Sequence, residues 1–293
     1  MLDDLPTEES NPRTVDIDRL DTLSVLQRLN AEDQLVAPAV RAALPELARA
    51  VDLALERWQR GGRVVLFGAG TSGRLAALDA AELGPTFGIP ADRWVARLAG
   101  GDGAFFKAQE GAEDDREAGA AAADDLSAAD IAFGIAASGR TPWVIAALER
   151  ARGRGAATIG LACVPRPDLA NFVDVAIVVD TGPEPISGST RMKAGTAQKL
   201  VLNSFSSTLM IRLGKVYSNL MVDVQATNEK LRRRAARLVQ QAAGGDAAVA
   251  EQSLILSNGE VKTAIAALRL GVTPEEARRR LANVGGRLRL LFD

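Results

Sequence analysis

Five short apolar runs mark the first two-thirds of the chain, at residues 63–67, 93–98, 130–136, 157–162 and 174–179. Each has the length of a strand buried on both faces. Helical patterns separate most of them, over 74–82, about 105–123 and 142–152. Strands alternating with helices predict a three-layer αβα sandwich built on a five-stranded parallel sheet. Upstream, Leu44, Leu47, Val51, Leu55 and Trp58 recur at spacings of three and four, which predicts an amphipathic helix over about 38–58. Gly61-Gly62 ends it, and a shorter helical pattern spans 18–29. Residues 1–16 are polar, carry Pro6 and Pro12, and read as an extended arm.

Beyond Thr190 the pattern is helical throughout, with long segments at 194–213 and 223–241. Ala242–Asp246 reads as a linker. Thr273-Pro-Glu-Glu276 has a capping residue, proline at the first helical position and glutamate at the third. Leu281 and Val284 can then share a small core with Leu268. The predicted organisation is an arm and helix over 1–39, the αβα domain over 40–243 and a small helical module over 244–293.

Composition narrows the chemistry. With 293 residues, 47% hydrophobic and 25% charged, the chain has material for a core. The balance of 35 basic against 37 acidic residues excludes a binder that relies on clustered positive charge, so no nucleic-acid partner is expected. No apolar stretch reaches the ~18 residues of a membrane span, and the acidic N-terminus is no secretory signal. A cytoplasmic address is the simplest expectation. Cys163 is the only cysteine, which excludes an internal disulfide and a multi-cysteine zinc site. The chain has no histidine at all. That removes histidine-based triads, histidine-ligated metals and imidazole acid–base chemistry, so neither metal nor cofactor is expected. With a single tyrosine, Tyr217, carboxylates become the favoured proton carriers.

Three loops carry candidate chemistry. Gly68-Ala-Gly-Thr-Ser-Gly73 follows the first strand and opens a helix. It fits the dinucleotide pattern letter for letter, but the second strand ends Arg97-Leu98-Ala99-Gly100, without the acidic residue that a ribose requires. Gly70, Thr71 and Ser72 suit a phosphate monoester at a helix N-terminus better; the alternatives are a plain capped turn or a dinucleotide site. Ser138-Gly-Arg-Thr141 follows the third strand, with Thr141 placed as N-cap and Pro142 as first helical residue. Ser138, Gly139, Arg140 and Thr141 can present donors to the same anion, or cap a helix and nothing more. The third loop, Ser187–Lys199, offers Ser187, Ser189, Thr190 and Lys193; the bland alternative is a helix start with solvated charges. Two carboxylates complete the set. Glu82 shares a helix face with Leu75 and Leu78, an apolar flank that favours the protonated form. Glu113 lies in the acidic run Glu110-Gly-Ala-Glu-Asp-Asp115, which can equally be a solvated face.

Taken together these segments resemble the N-acetylmuramic acid 6-phosphate etherase family, with its sugar isomerase (SIS) domain. The resemblance rests on Thr7–Pro12, Gly68–Arg74, Leu78–Glu82 with Pro85–Gly88, Glu110–Asp115, Gly134–Pro142, Gly188–Lys199 and Asn219–Lys230. The chain departs from the family at Ala81-Glu-Leu-Gly84, where Ser-Glu-Cys-Pro is usual; the glutamate is kept. The resemblance implies cleavage of the lactyl ether of a phosphosugar, giving N-acetylglucosamine 6-phosphate and D-lactate in the reuse of cell-wall amino sugars. It implies Glu82 as proton donor, Glu113 as second active-site glutamate, and a homodimer. Two further readings stay open: an aldose–ketose isomerase, disfavoured by the lack of histidine, and a non-catalytic sugar-phosphate sensor resembling glucokinase regulatory protein.

Overall fold

A computed structural model describes residues 6–224 and 229–293. Part of the Asn219–Lys230 motif, residues 225–228, and the first five residues lie outside the described residues. The chain forms two compact units. The first comprises Met1–Ala80 and Asp92–Ser206, the second Ala81–Ala91 and Ser207–Asp293.

In the first unit the five apolar runs become β1 (Val64–Gly68), β2 (Trp94–Leu98), β3 (Ile131–Ile135), β4 (Ala157–Ala162) and β5 (Val175–Val178). They form one parallel sheet in the order β2-β1-β3-β4-β5. Strands β1, β3 and β4 are buried along their whole length, which is why they read as continuous apolar runs. Helices α1 (Thr22–Asp33), α2 (Val36–Ala42) and α3 (Leu44–Gln59) precede the sheet. The expected single helix over 38–58 is two helices, because Pro45 has no N–H to donate and takes the first turn of a new one.

Helix α4 (Gly70–Phe87) follows β1, α5 (Arg116–Ala121) follows β2, α6 (Pro142–Gly153) follows β3, and α7 (Lys193–Arg212) follows β5. Alternate strand residues pack on opposite layers. Phe67 meets Trp143 of α6, with ring centroids 6.1 Å apart, whereas Phe133 meets Phe205 of α7 at 4.9 Å. The sandwich is therefore three-layered, as the pattern predicts. The helix expected over 105–123 is a correction. Turns and short 3-10 segments ending at Phe105 and at Ala112–Asp114 take its first part, and only α5 remains helical. Gly111 adopts a left-handed φ of 75° inside it, which a helix cannot absorb.

In the second unit, β6 (Val216–Tyr217) and β7 (Leu220–Met221) form a two-residue antiparallel pair that the helical pattern hid. Helices α8 (Glu229–Ala243), α9 (Ala247–Leu256), α10 (Val261–Leu270), α11 (Pro274–Asn283) and α12 (Arg289–Phe292) follow. Leu238 and Val239 of α8 join Leu254, Ile265 and Leu281 in one core. Helix α8 thus belongs with the C-terminal helices, across the linker at 242–246. Thr273 caps α11 by accepting from the Glu276 N–H at 3.3 Å, as its sequence predicts. Asp223 of the Asn219–Lys230 motif accepts from Lys262 at 2.7 Å and pairs with Lys215 at 2.9 Å, tying the β6–β7 turn to α10.

Candidate active site

The strand order reverses direction between β1 and β3, and ligands of open parallel sheets bind beyond the carboxyl ends of strands at such a point. The first two candidate loops leave from there. Gly68 and Gly73 fix the first one. A Cβ on Gly68 would stand 2.7 Å from the Gly73 nitrogen, and one on Gly73 would stand 2.6 Å from the Gly68 carbonyl oxygen. Only glycine at both positions lets α4 start so close to the strand it follows. Ala69, just before the helix, has no side chain with which to cap it, so the first N–H groups of α4 keep their capacity for an anion.

The second loop is built around Gly139. Its φ is +65°, and a Cβ there would come within 2.2 Å of the Cβ of Pro167. Ser138 Oγ accepts from the Arg140 N–H at 3.2 Å, and Arg140 faces Asp168 at 3.6 Å. Thr141 occupies the expected N-cap position of α6 but makes no capping bond with its side chain. Its hydroxyl is not taken up by the helix.

The third loop differs. Both carboxylate oxygens of Glu184 accept from the α7 N-terminus, from Lys193 N–H at 2.8 Å and Ala194 N–H at 3.0 Å. Glu184 is fully buried, and burial pushes its carboxyl above the usual range. The α7 N-terminus is therefore already satisfied by a carboxylate of this chain. Lys193 does not face the anion loops; its ammonium is wholly buried and pairs with Glu32 Oε2 at 2.9 Å. Ser187 donates to the carbonyl of Glu8 at 2.8 Å, and the Gly188 N–H donates to that of Thr7 at 3.0 Å. The Thr7–Pro12 motif thus clamps the third loop. Ser189 and Thr190 are in the same turn, and the Thr190 carbonyl accepts from Gly195 N–H at 2.9 Å. A Cβ on Gly195 would stand 3.6 Å from Thr71 Cγ2, so the start of α7 lies beside the first loop.

Glu32 organises that clamp. It is 2% exposed and accepts from Asn11 at 2.8 Å, from Lys193 and from Arg13 through two nitrogens. The Arg13 guanidinium above all, with Lys193 and Asn11, outweighs burial and holds the Glu32 carboxyl at about 2. Because that value lies below the unfolded one of about 4.3, the stabilisation is complete above pH ~4.3 and is lost as the pH falls towards 2. Urea midpoints should fall steeply between about pH 4.5 and 2.5, and Glu32→Gln should flatten that slope. An equally steep fall in the variant would assign the acid sensitivity elsewhere.

Glu113 and Gly70 line a single cleft of about 300 Å³, together with Ala69, Arg74, Gln109 and Glu110. The acidic run is therefore the wall of a cavity whose other wall is the start of α4. Arg74 holds that wall by donating to the carbonyls of Ala104 and Phe105, both at 2.8 Å. Glu82 belongs to the second unit, on the later turns of α4. It is exposed, as is Leu78, while Leu75 is half-buried; the buried side of this helix carries Ser72, Ala76 and Asp79. The apolar flank expected for Glu82 therefore does not enclose it. The departures beside Glu82 leave the helix continuous. Leu83 is buried, and Gly84 has room for a side chain, the nearest atom to a Cβ being the Ile89 carbonyl at 3.6 Å.

Two buried carboxylates, Glu32 and Glu184, and the amide of Gln198 escape the sequence reading. Glu184 has a signal in Pro183-Glu-Pro185, an acid between two prolines ahead of a helix. Gln198 is 1% exposed and accepts from Ser72 Oγ at 3.0 Å.

Comparison with known proteins identifies the fold and the family. The profile of the glucokinase regulatory protein N-terminal SIS domain matches residues 46–152, and that of the SIS domain matches residues 110–207. Among solved structures, a Bacteroides fragilis NCTC 9343 chain, assigned as a phosphosugar isomerase involved in capsule formation, superposes with a TM-score of 0.50. It is 22% identical, covers 68% of this chain and 95% of its own, and shares the fold. The N-acetylmuramic acid 6-phosphate etherase of Mycolicibacterium smegmatis is 50% identical over 98% of this chain and 97% of its own length. That of Aeromonas hydrophila subsp. hydrophila is 49% identical over 97% and 96%. Identity at about half of all positions, along nearly the whole of each chain, means that this chain belongs to the N-acetylmuramic acid 6-phosphate etherase family.

Proposed function

We propose that the chain cleaves the ether between D-lactate and carbon 3 of N-acetylmuramic acid 6-phosphate, releasing N-acetylglucosamine 6-phosphate. The observation that carries the reading is the cleft with Glu113 in one wall and Gly70, at the start of α4, in the other. It sets a carboxylate beside an anion-binding helix end. The 6-phosphate takes the N–H groups and hydroxyls at Thr71, Ser72, Ser138 and Thr141, where the helix dipoles favour negative charge. The open-chain aldehyde then makes the carbon 2 proton acidic. Glu113 accepts that proton, the carbon 3–oxygen bond breaks, and Glu82 protonates the departing lactate oxygen. Water adds to carbon 3 of the unsaturated aldehyde, and a proton returns to carbon 2. Incubation with the muramic substrate should yield D-lactate and N-acetylglucosamine 6-phosphate in equal amounts. Ketose formation, or binding without turnover, would instead favour the isomerase or sensor reading.

Ser72→Ala should weaken substrate binding by about 1–3 kcal/mol, the value of a hydrogen bond to a charged group, with a smaller effect on kcat. Calorimetric titration with the sugar phosphate checks this; an unchanged affinity would remove Ser72 from the site.

A homodimer is part of the same proposal. Leu23 and Leu26 of α1 are 63% and 58% exposed, and Leu35 is exposed beyond them, leaving an apolar face for a second copy. Sedimentation at micromolar concentration should show a species of twice the chain mass. No helix among the described residues is long and apolar enough to cross a membrane. A cytoplasmic address fits the buried, free thiol of Cys163.

A further inference from the structure

Helices α4 and α7 meet along a seam of polar side chains. Ser206 donates to Asp79 at 2.9 Å, and two turns towards the loops Ser72 Oγ donates to Gln198 Oε1 at 3.0 Å. The second contact leaves two groups badly served. The amide nitrogen of Gln198 is buried without a hydrogen-bond partner. The Ser72 hydroxyl has its only proton turned into the protein, away from any anion on the loop. A hydroxyl in that state offers lone pairs to a phosphate, which repels them.

A half-turn of the Gln198 amide about its last bond resolves both problems. The two ends of an amide have nearly the same shape, so the exchange needs no space. The nitrogen then donates into a lone pair of Ser72 Oγ, and the Ser72 proton is released towards the loop. The group left without a partner becomes a carbonyl oxygen, which proteins tolerate better than a buried N–H. The turned amide is thus the better-satisfied orientation even without ligand, and it alone leaves Ser72 a proton for a charge-assisted bond to an anion.

We propose that Gln198 is a positioning residue for phosphate recognition: its amide nitrogen donates to Ser72 Oγ and thereby keeps the Ser72 hydroxyl proton available as a phosphate donor. The inference rests on the phosphate reading of the Gly68–Gly73 loop and adds the residue that sets the polarity of that loop. Gln198 touches no ligand and acts through Ser72. It also accounts for a glutamine inside a buried helix face that lies two residues before a leucine and one after an alanine.

The test is a double-mutant cycle with a direct view of the amide. Wild type, Ser72→Ala, Gln198→Met and the double variant are titrated with inorganic phosphate and with N-acetylmuramic acid 6-phosphate. Side-chain amide signals are followed by NMR in 15N-labelled protein. The Gln198 pair is identified by its absence from Gln198→Met, or from Gln198→Glu should the first variant not fold. Each single variant should bind roughly tenfold more weakly, and the double variant should lie within about twofold of Ser72→Ala. Phosphate should shift the Gln198 amide signals in wild type and leave them in place in Ser72→Ala. Losses that multiply in the double variant, or Gln198 signals that phosphate does not move, would overturn the inference. Those results leave the phosphate loop itself intact as long as Ser72→Ala binds weakly. If Ser72→Ala binds as tightly as wild type, the phosphate reading fails first and the role of Gln198 falls with it.

Discussion

Glu82→Gln should release D-lactate roughly 10²–10⁴-fold more slowly than wild type, the span that positioned acid catalysis contributes. An alkoxide is a poor leaving group, and no histidine exists to protonate it. Glutamine keeps the shape and the hydrogen-bonding capacity of the side chain but has no proton to give. Substrate affinity should change little, since the Gly70–Ser72 start of α4 lies about three turns before Glu82. The two proton transfers can be read separately. A lactate assay reports departure of the ether oxygen, and solvent deuterium entering carbon 2 of the recovered substrate reports the base. Glu82→Gln should retain exchange while losing lactate, and Glu113→Gln should lose both. Lactate release at a near-normal rate in Glu82→Gln would end the donor assignment. Loss of exchange in that variant would make Glu82 the base instead.

Removal of Glu32 should be the most destabilising single change in the clamp. Lys193 is wholly buried, and its ammonium has Glu32 as its charge partner at 2.9 Å. The nearby Glu184 carboxylate is taken up by two backbone N–H groups. Glu32→Gln therefore leaves a buried cation without its counter-ion and costs about 3–5 kcal/mol. That is a large part of the ~5–15 kcal/mol that holds an ordinary domain folded. Urea unfolding at neutral pH measures it. Glu32→Leu combined with Lys193→Met should recover a substantial part, because an apolar pair removes the unpaired charge. A loss below about 1 kcal/mol for Glu32→Gln, well under the cost of a broken buried pair, would show that the ammonium finds another partner. Because the clamp fixes the third loop beside Thr71, the destabilised variant should also bind phosphate less tightly near its unfolding midpoint.

The legible parts of the fold are those set by neighbours in sequence. Strands β1, β3 and β4 have both faces covered, so their apolar runs are unbroken and their limits fall close to those of the pattern. The Thr273 cap needs only the next three residues to form. The stretch from 105 to 123 misleads because abundant alanine fits a helix anywhere, while Gly111 within it adopts a left-handed conformation that ends one. The division of α2 from α3 is legible in principle at Pro45. The short β6–β7 pair is not, since two residues carry no periodicity.

For the candidate site, the sequence alone determined the two glycine-and-hydroxyl loops after β1 and β3. The close approach of Gly68 to Gly73 and the left-handed turn at Gly139 are local demands that only glycine meets, so they are written where they act. It also determined the family, and with it the candidate acids Glu82 and Glu113. Tertiary structure alone decided which helix start is taken up by a carboxylate of the chain itself. Ser187 and Lys193 look like part of a third binding loop in the sequence. Folding turns them inward, to the arm at Glu8 and to Glu32, while Glu184 takes up the α7 N-terminus. Glu32 precedes Lys193 by 161 residues, and Ser72 precedes Gln198 by 126. A hydrogen bond is satisfied by whatever the fold brings within about 3 Å, and no local pattern records a partner that far along the chain.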